Sequence, residues 1–498
     1  MQAIAEETNR ESLAAAAPLD VLIVGAGISG ISAASHLHRL CPEKTYRIVE
    51  ARKDIGGTWD LFRYPGIRSD SDMYTFGFDF KPWTNPKAIS DGPSIKTYLR
   101  EAVDENQVSA RIDFERRVLR AAWDSGSASW AVTAETADGA EVTYQARMLF
   151  MCSGYYNYEQ GHIPHFEGQD EFRGQLIHPQ HWPEDLDYSG KHVVVIGSGA
   201  TAVTLVPAMA ETAASVTMVQ RSPTWVASLP ARDAIANFMN AVLPASWAYR
   251  FTRWRNIHLQ NILYRRARNK PRQTGEALLK RARKYLGESF DVEKHFKPDY
   301  DPWTQRLCLV PDADLFHAIR DGKASVVTGK IDRLLPAGLR VADGQEIKAD
   351  IIVSATGLEM QALGGVEFTL DGVRLDPSQH FLYQGMMISD VPNLVQTFGY
   401  INASWTLRAD LNSKFFCGLL GKMDEKQANT VVPRLRAGEK DMPEREMISG
   451  FNPGYMQRGL ARFPRQGDHA PWVNTQNFVQ DRKMLSNGPS EDGVLQFS

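Results

Sequence analysis

The chain has 498 residues, 43% hydrophobic and 23% charged, enough to bury two or three domain cores. A net charge of -3 at pH 7 gives no overall basic field, which argues against nucleic acid as a partner. Cys41, Cys152, Cys308 and Cys417 are few and far apart, a usage that fits a reducing compartment, the cytoplasm by default, better than a disulfide framework.

Residues 1–19 read as a disordered tail. Glu6, Glu7 and Glu11 precede a short alanine patch, unlike the basic and then apolar layout of a signal peptide. No apolar run approaches the roughly 20 residues of a membrane span. Asp20 to Val24 is a branched apolar run that predicts a strand, followed by a turn, GAGISG, at Gly25 to Gly30 and a helix from Ile31 to Leu40. In such a turn Gly25 allows the reversal, Gly27 admits a pyrophosphate and Gly30 lets the helix sit close to the strand, with Ser29 among the expected cofactor-binding residues. A second strand, Tyr46 to Val49, ends in Glu50. A carboxylate there accepts hydrogen bonds from a ribose 2′-hydroxyl and repels a 2′-phosphate, so this first fold should hold FAD or NAD rather than NADP.

Lys191 to Ile196 repeats the pattern, entering GSGATA at Gly197, Ser198, Gly199, Ala200, Thr201 and Ala202 and then a helix to about Met209. Its second strand, Val216 to Val219, leads to Arg221 and Ser222, a cation where the first fold has an acid. The planar fork of arginine suits a 2′-phosphate, which predicts NADPH. Opposite selectors imply two nucleotides in one chain, with hydride passing from NADPH to a flavin.

Between Pro223 and Trp303 the strand signals vanish and a helical insertion is expected. Arg250 to Lys284 carries twelve Lys or Arg against one acid, Glu276. A cap over the NADP domain with its charged face solvated is the expected arrangement, with peripheral contact to an anionic membrane as the alternative. Ile351 to Met360, IIVSATGLEM, reads as a strand whose end at Gly357 returns the chain to the first domain. The polar stretch from Ala437 to Ser498 should form ordered loops near the substrate pocket, anchored by Trp472 and Phe478.

The fold class is therefore α/β, with two Rossmann-like dinucleotide-binding domains, the NADP domain inserted in the FAD domain and carrying the helical insertion. The expected boundaries are a FAD-binding part at 20–160, a linker at 161–190, NADP-binding parts at 191–222 and 304–360 around an insertion at 223–303, and a second FAD-binding part at 361–498. A disulfide reductase would need two neighbouring cysteines beside the flavin, and no such pair exists. An electron-passing oxidoreductase or a monooxygenase remains.

Phe172, Gly174, His178, Trp182 and Pro183, in FRGQLIHPQHWP, match the FxGxxxHxxxWP fingerprint of Baeyer-Villiger monooxygenases. GGTWDLFRYPGIRSDSDMYTFGF, CSGYYNY, IGSGATAVTLVPAMA, PWTQRLCLVPDADLF and GYINASWTL extend the likeness from about Val21 to Trp472, and the chain resembles the ethionamide-activating branch of that family. The resemblance implies FAD, NADPH and dioxygen as co-reactants and a ketone or sulfide as substrate, linear aliphatic ketones by subgroup. It assigns Arg306 as the active-site arginine and Asp70 as its partner. Such an arginine would keep a flavin peroxide anionic and nucleophilic, and it cannot itself act as the acid. Gly57, Thr58, Trp59, Asp70 and Val118 would line FAD, and Arg68 and Ser69 would face NADP. Many relatives place lysine before the arginine, where this chain has Gln305, which shifts selectivity for NADPH onto Arg221. For His178 and Trp182 a hinge and hydrogen-bonding role is preferred over proton transfer. The alternatives are a flavin-containing monooxygenase acting mainly on sulfur or nitrogen and a non-catalytic flavin redox sensor.

Overall fold

Two sheets organise the molecule, and each grows from one of the two glycine-turn strands. The computed structural model describes residues 17–490 and 493–498, so most of the expected N-terminal tail lies outside the described residues. In the first sheet the strand Leu19–Val24 is buried from Val21 onward and pairs in parallel with Tyr46–Val49 on one side and Glu141–Met151 on the other. Leu394–Gln396 adds a parallel strand beside Glu141–Met151, while Arg116–Asp124 and Ser129–Thr136 extend that strand as an antiparallel meander. Central strands covered on both faces read as unbroken apolar runs, which is why DVLIV was legible as a strand.

The second sheet is wholly parallel, in the order Ala324–Thr328, Ser215–Gln220, His192–Ile196, Ile351–Ser354 and Gln175–Ile177. All five strands fall in sequence between Met151 and Leu394, so the chain leaves the first sheet, builds the second and returns. The two crossings meet. Tyr156–Gly161, on the way out, pairs antiparallel with Leu358–Met360, on the way back. The crossover read at Gly357 is therefore a two-stranded connection between the sheets.

Residues 223–303 are not wholly helical, which corrects the sequence expectation. Trp225–Leu229 is a strand that pairs in parallel with Leu307–Pro311. Five residues carry too little periodicity to declare a strand, and the partner lies beyond the intervening helices, so tertiary pairing decides. The helices are Ala234–Val242, Ala245–Asn269, Pro271–Leu286 and Val292–Phe296. Nor do they form a simple cap over the second sheet. Leu279, Leu286 and Phe296 pack into that sheet's core, but the long helix docks on the first unit. There the Tyr249 hydroxyl donates to Phe78 O at 2.8 Å, and Arg253 Nη1 donates to Tyr74 O at 3.1 Å. The buried Arg253 also pairs with Asp410 at 3.3 Å. No described helix is long and apolar enough to cross a membrane.

The C-terminal stretch combines loops with two short helices, Gly454–Gly459 and Phe478–Leu485. Trp472 is the anchor expected of it, fully buried, with its indole donating to Glu439 at 3.0 Å.

Candidate active site

The first glycine turn is built around a close approach. A Cβ on Gly30 would fall 1.8 Å from Gly25 O, so only glycine lets the helix Ile28–Leu40 start against its strand. Gly27 faces Gly57 across a gap lined by backbone, where a Cβ on Gly57 would lie 3.0 Å from Gly27 Cα. The helix has no acidic residue in its first turn, so its positive end is free for an anion. Glu50 closes the next strand, 6% exposed, with Oε2 accepting from Ala26 N at 2.6 Å and Oε1 from Arg52 N at 2.9 Å. Burial pushes its pKa up, opposed by those two backbone donors. A bare cradle, a helix N-terminus and an oriented carboxylate fit the phosphates and adenosine ribose of FAD.

Other residues that the resemblance assigns to the flavin are held by neighbours within the fold. The Ser29 hydroxyl accepts from the Trp405 indole at 2.8 Å, tying the turn to the helix Trp405–Glu425. Thr58 Oγ1 bonds the Tyr156 hydroxyl at 2.7 Å, and Trp59 packs edge to face on Phe76, 5.6 Å between centroids. Val118 sits in the strand Arg116–Asp124, against the core beneath the meander.

The second turn is more open. A Cβ on Gly199 would meet nothing within 4 Å, and the helix Ala200–Met209 also lacks an acid in its first turn. Ala202, at the third glycine position, is fully buried. Ser198 Oγ bonds Thr224 Oγ1 at 2.8 Å and Ser222 O at 3.1 Å, which fixes the loop that carries Arg221 and Ser222. Both are exposed, and Arg221 has no ion-pair partner among the described residues. A free guanidinium at that place fits a 2′-phosphate.

Arg306 lies where the two units meet. It precedes the strand Leu307–Pro311 and pairs with Asp70, from a loop of the first unit. Asp70, reinforced by Tyr455 and Tyr155, holds its pKa above the already high arginine value. The guanidinium is therefore a permanent cation. Tyr64 stands beside the pair, pushed up to about 12 by burial while it hydrogen-bonds Thr201 of the second turn. Cys308 Sγ reaches Ser198 O at 3.8 Å, so the strand carrying Arg306 is tied to the same turn. Arg68 Nη1 pairs with Asp314 at 2.5 Å, while its buried Nη2 has no partner and is available to a ligand oxygen. The Ser69 hydroxyl is turned into its own loop, donating to Ser71 O at 2.8 Å and accepting from Ser71 N at 3.0 Å.

The fingerprint forms the edge of the second sheet and the clasp of the connection. Gly174 precedes the edge strand Gln175–Ile177, and a Cβ there would fall 2.3 Å from Asp350 O. Phe172 and Trp182 pack against separate cores of the second unit, and Pro183 follows in the loop toward Tyr188. His178 Nδ1 accepts from Gln180 N at 3.2 Å, which leaves Nε2 to carry the proton and donate to Gly357 O at 3.1 Å. Burial lowers its pKa, favouring that neutral form. Gln180 Nε2 donates to Asn157 O at 2.8 Å, so the segment grips both crossing strands. This geometry suits a hinge and not a proton shuttle.

Three aromatic residues of the site were not singled out from sequence. Tyr155 and Trp405 lie inside quoted family blocks, whereas Tyr455 sits in a tail segment with no signal of its own.

Two dinucleotide folds facing one paired cation define a protein with two nucleotide sites. Residues 19–270 match the model of the flavin-binding monooxygenase-like family, and the chain belongs to that family. It is 50% identical over 480 residues to the probable FAD-binding monooxygenase AlmA of Acinetobacter baylyi, with 96% of each chain covered. It is 49% identical over 481 residues to the FAD-containing monooxygenase EthA of Mycobacterium tuberculosis, covering 96% of this chain and 98% of that one. A crystal structure of cyclohexanone monooxygenase with ε-caprolactone shares the fold, with a TM-score of 0.76 at 18% identity over 97% of this chain and 100% of that one. The chain is an FAD-dependent NADPH monooxygenase, as the family resemblance in its sequence implies.

Proposed function

We propose that the enzyme is a Baeyer-Villiger monooxygenase, inserting one oxygen of O2 beside a ketone carbonyl to give an ester or lactone and oxidising sulfides as a second activity. The observation that carries this reading is the Arg306–Asp70 pair at the meeting point of the two units. When bound and reduced, the flavin supplies the dioxygen-derived oxidant. Arg306 places a permanent positive charge at the reacting centre, which disfavours protonation there and stabilises charge gathering on the ketone oxygen. Asp70 aims the guanidinium, and Tyr455 and Tyr155 wall that side of the site. Residues 20–160 and 361–498 would hold FAD, with Gly25, Gly27 and Gly30 at the pyrophosphate and Glu50 at the ribose. Residues 191–222 and 304–360 would hold NADPH on Gly197 to Ala202, Arg221 and Ser222, with Arg68 reaching in from the first unit. His178 would clasp the hinge between them.

A panel of linear ketones and thioethers, followed by NADPH consumption and gas chromatography, tests the reading. Esters from the ketones are expected. Stimulation by thioethers alone, with no ester, would assign the enzyme to sulfur oxidation. In the same assay Arg221→Ala should raise KM for NADPH by about tenfold or more while leaving NADH unchanged, since a charge-assisted bond contributes about 1.5–3 kcal/mol. An equal effect on both nucleotides would remove Arg221 from phosphate recognition.

A further inference from the structure

The helices Ala234–Val242 and Ala245–Asn269 present an apolar face that no described residue covers. Phe238 is 62% exposed, Trp247 70%, Trp254 56% and Ile262 61%. On the long helix Trp247, Phe251, Trp254 and Ile262 follow helical spacing along one stripe. Tyr249, Arg253, Asn256 and Gln260 fall on the opposite stripe, and these are the residues that dock on the first unit. Packing therefore fixes the helix with its aromatic side outward. Large aromatic groups clustered on a surface mark an interaction site.

Charge selects the partner. The long helix contains no Asp or Glu, and its exposed Arg250, Arg265 and Arg266 have no ion-pair partner among the described residues. Tryptophan and arginine together, on a helix anchored along its opposite side, match a surface lying at the headgroup level of an anionic bilayer. A protein groove would have to cover two helices and supply carboxylates to each arginine, whereas a bilayer supplies apolar depth and negative headgroups over any area.

We propose that this two-helix face is a monotopic docking surface for anionic lipid bilayers. A cleft lies along the long helix of this face. Ile257, Gln260, Asn261 and Tyr264 of the same helix line a narrow cleft against Asn402, Ala403 and Phe478. A docked enzyme would hold this cleft beside the membrane, where apolar substrates concentrate; that last step rests on the monooxygenase reading, and the docking does not.

The test is cosedimentation of the holoenzyme with vesicles of phosphatidylglycerol and phosphatidylcholine, against phosphatidylcholine alone. Wild type should pellet with the anionic vesicles at low salt and be released at about 1 M salt, where charges are screened within about 3 Å. The double variants Trp247→Ser/Trp254→Ser and Arg250→Glu/Arg265→Glu should each bind at least about tenfold more weakly. Their NADPH consumption without vesicles should match wild type, showing that the fold is retained. Wild type that stays in the supernatant, or variants that pellet equally well, would overturn the proposal. So would a wild-type dimer that binds no vesicles and that Trp247→Ser/Trp254→Ser makes monomeric, because the face would then belong to a second copy. Vesicle binding needs no substrate, so its failure is separable from failure of the ketone panel.

Discussion

Arg306→Ala should end ester formation, lowering kcat by at least about 100-fold, while NADPH still reduces the flavin at close to its normal rate. The split follows from where the charge sits. Arg306 belongs to the strand end between the two units, paired with Asp70, and no part of either glycine turn depends on its side chain. Anaerobic reduction followed by flavin absorbance, beside ester detection in air, measures both halves. Arg306→Lys should recover only part of the loss, because an ammonium keeps the charge but not the planar fork that Asp70 aims. Asp70→Ala should cost less than Arg306→Ala, since the cation survives with its orientation loosened. Ester formation retained in Arg306→Ala would remove the arginine from the chemistry.

Glu50→Ala should yield protein that purifies with little or no yellow flavin, with affinity for FAD at least about 100-fold lower. Two backbone donors, Ala26 N and Arg52 N, now end on the Glu50 carboxylate. Losing it removes the ribose acceptor and leaves two donors unpaired, of which the buried Ala26 N–H costs about 1–3 kcal/mol and the half-buried Arg52 N–H less. A melting temperature that falls and then recovers in excess FAD would separate lost binding from a lost fold. A fully yellow Glu50→Ala protein would place the adenosine ribose elsewhere. Glu50→Gln is the milder control, because it keeps one acceptor oxygen while losing the charge and the second acceptor.

The parts of the molecule built from local pattern are legible in the sequence. The strand Tyr46–Val49 has the residues expected of it, and the glycine turns and Glu50 stand where spacing put them, because close backbone approaches leave a strict signature in residue type. Gly357 as a crossover was legible for a different reason, a strand followed closely by a glycine, which takes a positive φ. The strand Trp225–Leu229 was missed, being defined by a partner far along the chain. The insertion's placement was misread because a count of charges does not reveal which face of a helix docks. Arg253 and Arg255 were counted with the solvated cations, yet Arg253 is buried against backbone carbonyls and Asp410, and Arg255 pairs with Asp233. Arg306 stood out only by family resemblance, since one arginine among many carries no local mark. Tyr455 had neither pattern nor resemblance to reveal it and emerged only when folding brought the tail against the Asp70 loop.

Oxygen-18 labelling tests the central claim most directly. With NADPH and labelled dioxygen, a linear ketone should give an ester that carries one labelled oxygen, at the inserted position, and mass spectrometry of the ester fragments locates it. Unlabelled ester, or NADPH consumed with no oxygen transferred to any ketone, would contradict the account.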